Sequence, residues 1–236
     1  MSNIPKIYYI THDNIKDEQL LHEKIYLNLA NNYYWSDDWS CEFYIDLAKA
    51  GFISVSFDND DQLVLLPEMQ MHYALLDFKN LHVSKKVKKL IYANRYTLEI
   101  NNDVASIINS IEDQHKDNWL KDKYVYLMEQ LRLKKHENFQ LIAVHLRSNA
   151  HGCLVAGEIG YKIGKTYTSL SGFCLKDKQH NNCGNLQLVL LAQYLEKEGC
   201  SFWNLGHPYM DYKLQLGAKV YTRKEFLSRW FEARNR

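Results

Sequence analysis

Residues 153–174 read CLVAGEIGYKIGKTYTSLSGFC, and this stretch decides the fold. Polar and apolar residues alternate on both sides of a glycine-containing turn, which predicts two antiparallel strands in a hairpin. With Ile163 and Gly164 as a two-residue turn, Glu158 lies opposite Ser169 and Ala156 opposite Ser171, all on one face. A glutamate beside two hydroxyls makes a polar pocket; the same residue equally faces solvent or is paired by an arginine. Gly157 and Gly160 flank Glu158, which suits close approach of another group or tight packing.

Outward from the hairpin the pattern stays regular. Before it come strand YTLEIN (96–101), helix DVASIINSIEDQ (103–114), helix WLKDKYVYLMEQL (119–131) and strand FQLIAVHLR (139–147). After it come helix GNLQLVLLAQYLEKEG (184–199), strand FWNL (202–205), a short helix over Met210–Gln215, strand AKVYT (218–222) and helix RKEFLSRWFEA (223–233). Ser84 caps a basic helix, SKKVKKLIYAN, which keeps Val87, Leu90 and Ile91 inward. Upstream, an amphipathic helix opened by Asp13 covers 13–32, and a second covers 38–50 with Gly51 as its stop. ISVSF, LVLLPEM and HYALLDF follow as strands, the first two joined by the turn DNDDQ (58–62). The expected architecture is α/β: a small N-terminal α+β domain over 1–81, then a domain over 82–236 around a mixed, largely antiparallel sheet. One strand, two helices, three antiparallel strands, helix, strand, helix, strand is similar to the order of the GNAT-type acyltransferases.

Composition narrows the class. Hydrophobic content of 46% with three prolines describes a globular chain of 236 residues, not a disordered one. No signal-peptide pattern follows Met1 and no apolar run reaches a bilayer span, so a soluble, cytoplasmic protein is expected. Five cysteines without a CxxC pair point to reduced thiols. Cys174, His180 and Cys183 cluster in sequence, but no fourth ligand accompanies them, and no metal is expected. Residues 1–80 hold 5 Lys/Arg against 13 Asp/Glu, whereas residues 81–236 hold 24 against 15. A basic half attracts a phosphate backbone, and an acidic half suits a cationic second substrate.

Acyl transfer to an amine needs a held carbonyl, a neutral amine and hydrogen bonds for the tetrahedral intermediate. The candidates on core elements are Glu158, Ser169, Ser171, Asn204 at the end of FWNL, and the loop residue His207, whose ordinary pKa suits taking a proton near neutrality. Gln187 stands on the first turn of its helix, and Trp119 offers a flat ring for a base or ribose. The entry loop KDKQHNNCGN places Gln179, Asn182 and Gly184 close to an acetyl-CoA signature, with Asn where a glycine is usual. Asn tolerates left-handed geometry.

Together, FYIDLAKAGF, LHVSKKVKKL followed by YTLEINNDVASIINSI, NWLKDKYVYLMEQL, LVAGEIGYKIGKTYTSLSGF and LGAKVYTRKEFL resemble the leucyl/phenylalanyl-tRNA–protein transferases in order and spacing. The resemblance implies transfer of a hydrophobic amino acid from aminoacyl-tRNA to the N-terminal amine of a protein beginning with a basic residue, without CoA, as a step in protein degradation. It implies that Trp119 lies against the terminal adenosine and that Ser171 and Phe173 match the family's Gly-Glu-Ser-Met-Phe-Ser strand. That strand's glutamate falls at Leu170, and the family's Asp-x-Gln pair falls near Asn204 and Gly206. The expected roles are stacking by Trp119, substrate contact by Phe173 and Gln187, orientation by Ser169, Ser171 and Asn204, and proton acceptance by Glu158 or His207. Lys85, Lys86, Lys88, Lys89 and Arg223 are expected to hold tRNA. The alternatives are an N-acetyltransferase using acetyl-CoA, and a tRNA- or N-terminus-binding module without turnover.

Overall fold

Strand Gln140–Ser148 sends Leu141 and Ala143 into one apolar core and Ile142, Val144 and Leu146 into another. Successive side chains leave a strand on opposite faces, so the run LIAVHL is a strand buried on both sides. A computed structural model describes residues 7–58, 62–101, 103–116, 118–134 and 136–235. The middle of the expected DNDDQ turn, 59–61, lies outside the described residues.

The elements are α1 (Cys41–Lys49), β1 (Ile53–Asp58), β2 (Leu63–Glu68), β3 (His72–Leu76), α2 (Lys85–Ala93), β4 (Tyr96–Asn101), α3 (Val104–Gln114) and α4 (Asp122–Leu133). They continue with β5 (Gln140–Ser148), β6 (Leu154–Ile163), β7 (Thr166–Cys174), α5 (Cys183–Lys197), β8 (Phe202–Asn204), α6 (Asp211–Gln215), β9 (Lys219–Thr222) and α7 (Arg223–Arg234). Seven strands form one sheet in the order β9-β3-β8-β7-β6-β5-β4. Its neighbours are antiparallel except β7 and β8, which run parallel.

Helices cover both faces. On α3, Val104, Ile107, Ile108 and Ile111 are buried, and on α4 Tyr124, Leu127, Met128 and Leu131; both sets follow the spacing i, i+3, i+4, i+7 of one helical face. On α5, Leu186, Val189, Ala192 and Leu195 bury against the other face together with Val87 of α2. Each Leu, Ile or Val so buried contributes about 1.5–3 kcal/mol before chain entropy is counted. Among the described residues no helix is long and apolar enough to cross a membrane.

Three expectations change. Residues 13–32 are not one α-helix: Thr11 caps the helix His12–Lys16, Asp17 turns extended and caps Glu18–Leu20, and Leu21–Tyr26 is a π-helix. The Asp17 carboxylate, accepting from Leu20 N at 3.0 Å, competes with helix continuation there. Strand β3, counted with residues 1–81 on sequence grounds, lies inside the large sheet between β9 and β8, while β1 and β2 form a separate ribbon. The first core correspondingly runs across the expected boundary, joining Phe43 and Leu47 to Ile107 and Phe226.

Arg223 is the third change. It is 1% exposed and touches no outer surface suited to tRNA. Its guanidinium donates to the carbonyls of Gln70, Ile25, Asn28, Asn31 and Met69, tying the N-terminal segment to the β2–β3 turn and to α7. A planar five-donor group suits this task because carbonyls at several angles are satisfied at once. Arg223→Met is expected to lower unfolding free energy by about 3 kcal/mol or more in urea titrations, because it strands buried acceptors, and to leave tRNA affinity of the folded protein unchanged.

Candidate active site

The parallel ladder of β7 and β8 is short. It pairs Phe202 with Thr166, Trp203 with Tyr167 and Asn204 with Thr168, and then ends. Strand β7 runs on to Cys174, and among the described residues no strand pairs with it on that side. Beyond Asn204 the chain keeps bonding to β3 instead, through Leu205 N to Ala74 O at 2.9 Å and Ala74 N to Gly206 O at 2.7 Å. The two strands part, and the gap opens into a cleft of about 1090 Å³. The parted strands leave a V-shaped opening. Its volume is in the range of pockets that take drug-sized or larger ligands.

The hairpin register differs from the expectation. Gly164 and Lys165 form the turn, so Ile163 pairs with Thr166, and Glu158 lies opposite Gly172 rather than Ser169. Between Ile159 and Gly160 the register slips by one, which leaves Leu170 as the extra residue of a β-bulge. Bulges bend a strand and re-aim its side chains, and here the bulge faces the cleft. Alternation could not reveal it, because the slip inverts the phase only past Ser169.

Glu158 is 4% exposed and faces α5, so the solvent-facing and arginine-paired alternatives are both excluded. Tyr167 OH donates to its Oε1 at 3.0 Å, Ser169 Oγ to the same oxygen at 2.8 Å, and Gln187 Nε2 to Oε2 at 3.0 Å. Trp203 Nε1 in turn donates to Ser169 Oγ at 2.8 Å, which orients the hydroxyl toward the carboxylate. Burial pushes the Glu158 carboxyl above the usual range, against the pull of Gln187, Ser169, Tyr167 and the Lys213 charge. Gly160 has a specific reason: a Cβ there would collide with the Tyr167 ring and hydroxyl that reach Glu158 and with the backbone carbonyl of Thr168.

Trp119 does not open a helix. It sits ahead of α4 in the loop after α3, lines the cleft, and packs edge-on against Tyr124 with ring centroids 4.7 Å apart. Ser169, Ser171, Phe173 and Gln187 also line the cleft. Asn182 takes the left-handed conformation at φ 68° ahead of α5, a geometry that Asn tolerates.

Two expected residues lie elsewhere. Asn204 is 1% exposed; its Oδ1 accepts from Gly206 N at 3.0 Å and its amide nitrogen faces Thr168 Oγ1, so it shapes the turn that ends β8. His207 pairs through Nε2 with Glu68 at 2.7 Å and stacks on Tyr209, outside the cleft lining. Lys85, Lys86, Lys88 and Lys89 are exposed on α2. Helix α2 packs on α5, and its neighbour Tyr96 lies against His180 in the loop that walls the cleft.

Sequence reasoning missed three residues. Gln114, at the end of α3, clasps Cys174 from the open side: its Nε2 donates to Cys174 O, and its Oε1 accepts from Cys174 N at 3.1 Å. Strand alternation then turns the Gly172 N–H and C=O to the same open edge. Tyr167 carries a hairpin signal, since it alternates in phase with Ser169. Lys213, in the short helix α6, is 6% exposed on the cleft wall, and no periodicity marks it.

A family model described as leucyl/phenylalanyl-tRNA protein transferase matches residues 75–230. The leucyl/phenylalanyl-tRNA–protein transferase of Maridesulfovibrio salexigens is 25% identical over 159 residues, covering 67% of this chain and 64% of that protein. That of Pseudomonas putida is 26% identical over 149 residues, covering 62% of this chain and 61% of that protein. The chain thus spans somewhat under two thirds of the length of the curated relatives it matches. The solved structure of FemX superposes with a TM-score of 0.50 at 10% identity, over 94% of this chain and 80% of FemX, a likeness of fold alone.

Gly160→Ala is expected to push the Tyr167 ring off Glu158 and to cost about 1–3 kcal/mol of stability by overpacking. Chemical denaturation measures the loss, and an unchanged midpoint would show that the Tyr167 ring relaxes without cost.

Proposed function

The chain belongs to the leucyl/phenylalanyl-tRNA protein transferase family, and from that premise we propose that it moves a hydrophobic amino acid from aminoacyl-tRNA to the N-terminal amine of a protein beginning with a basic residue. The observation that carries this reading is the parted β7–β8 edge with a buried carboxylate at its root and an indole on its wall. A slot of this size accommodates an adenosine beside Trp119 and an aminoacyl group running inward. In this reading the indole stacks on the terminal base, as aromatic side chains do at about 1–3 kcal/mol per base. Leu170, Phe173 and Leu188 on the lining give the donor's side chain an apolar wall.

The ester carbonyl then lies along the open edge of β7, where the Gly172 N–H donates to the developing oxyanion and Ser171 is adjacent. Glu158 takes the proton that the attacking amine must lose. Its raised pKa makes it a stronger base than an ordinary carboxylate, and its three donors fix its orientation. The family's own acidic and amide positions on these strands are Leu170, Asn204 and Gly206 in this chain, so the carboxylate comes from the neighbouring strand β6.

The tRNA body is assigned to the exposed face of α2, extended toward the cleft mouth by Lys176 and Lys178. The acidic excess of residues 1–80 suits a cationic acceptor terminus. The reaction belongs in the cytoplasm, where charged tRNA is made, and an added hydrophobic N-terminal residue marks the acceptor for degradation.

Incubation with pools of charged tRNA and peptides that start with Arg or Lys should give products heavier by one hydrophobic residue at the α-amine, read by mass spectrometry. No product from any pool would refute the reading. Reversing the charge of Lys85, Lys86, Lys88 and Lys89 should weaken tRNA binding at low salt by tenfold or more. It should also flatten the dependence of log K on log salt by about 0.7–0.9 for each phosphate that the variant no longer neutralises. Equal binding by the variant would move the tRNA away from α2.

A further inference from the structure

We propose that Lys213 donates the proton needed by the ribose oxygen that departs when the aminoacyl ester is cleaved, acting opposite Glu158; this rests on the aminoacyl-transfer reading above. The geometry is that of a held cation on the cleft wall. Lys213 Nζ donates to Leu205 O and to His207 O at 2.7 Å, the two carbonyls on either side of the turn that ends β8. An ammonium has three N–H bonds, so one is left beyond these two. Lys213 lines the same cleft as Glu158, and each acts on the other's charge.

The surroundings explain why this lysine suits the task. Burial pulls its pKa down to about 8, with Glu158 opposing the fall. It is therefore still protonated near neutrality and yet gives up its proton far more readily than an exposed lysine. The groups facing it from the packed elements are few. Glu158 comes from β6; Tyr167 of β7 and neutral Gln187 of α5 are both committed to that carboxylate. The Tyr212 ring of its own helix lies with its centroid 5.9 Å away, and the His207 imidazole is turned to Glu68. Glu158 and Lys213 thus line one cleft as a carboxylate and an ammonium, each within reach of the other's charge.

The step balances. The neutral amine of the acceptor attacks the ester carbonyl carbon, forming the C–N bond and placing charge on the carbonyl oxygen. Glu158 takes one proton from that nitrogen. The carbonyl re-forms, the C–O bond to ribose breaks, and its electron pair stays on the ribose oxygen, which accepts a proton from Lys213. Neutral Lys213 and protonated Glu158 then exchange one proton, and both return to their starting states.

The test compares the wild type, Lys213→Met and Lys213→Arg on two donors that carry the same amino acid: an aminoacyl-tRNA, and an ester of p-nitrophenol, whose leaving oxygen needs no proton. On aminoacyl-tRNA, Lys213→Met should be slower by about 100-fold or more in single-turnover rate. Lys213→Arg, which keeps the charge and the carbonyl contacts but holds its proton, should be similarly slow. On the nitrophenyl ester the deficit of both variants should disappear. The ratio of the wild-type rate to that of Lys213→Arg on aminoacyl-tRNA, in which the acceptor amine's own titration cancels, should fall as pH rises through about 8. Thermal melting of all three separates a folding defect from a chemical one, and Lys213→Arg keeps the comparison valid if Lys213→Met is unstable. Equal deficits on both esters, or a fully active Lys213→Arg, would overturn the assignment while leaving the transfer reading intact. A wild type that transfers from neither donor would remove both.

Discussion

The length of one parallel ladder governs this molecule. Strands β7 and β8 share three residue pairs and no more, because past Asn204 the β8 chain stays bonded to β3. The bulge at Leu170 bends β7, and Gly206, at a φ of 71° that suits glycine, turns the other chain away. Ser171 and Gly172 of β7 and Lys213 of α6 line the cleft that this parting opens.

A cleft of this kind is unfavourable to fold. It buries a carboxylate and an ammonium and leaves part of a strand edge unpaired by any other strand, each of which opposes stability. The opposing terms lie away from it. Two apolar cores sandwich the sheet, and the stacked Tyr73 and Phe226 rings lie 3.7 Å apart, centroid to centroid, where α7 covers β3. Arg223 adds a polar tie to this apolar one, holding the N-terminal segment and the β2–β3 turn together at the start of α7. The site can be polar because the cores around it are apolar.

Much of this was legible in the sequence. Helices α3, α4 and α5 write their period into Ile107, Leu127 and Leu186 and their neighbours, and the β6–β7 hairpin declares itself by alternation. The polar pocket around Glu158 was found although its register was not, because Ser169 reaches the carboxylate across the bulge. What stayed hidden was set by distant contacts. Nothing near Arg223 says that carbonyls almost two hundred positions earlier await it. Strand β3 looks like its neighbours β1 and β2, yet β8 and β9 claim it. His207 was assigned by ordinary acidity, and Glu68, more than a hundred residues upstream, had already engaged it. Lys213 carries no pattern at all, since a single charge in a five-residue helix leaves no periodicity.

Gln114 gives the open edge an end. A side-chain amide that both donates to and accepts from Cys174 imitates one residue of a neighbouring strand. An unprotected strand edge invites any extended chain to add itself, which is how sheets aggregate. Here such a chain, laid along β7 from Ser169, runs only as far as Gly172 before it must evict the glutamine. The free backbone of that edge is thus about one strand-turn long, with its far end already taken by a side chain.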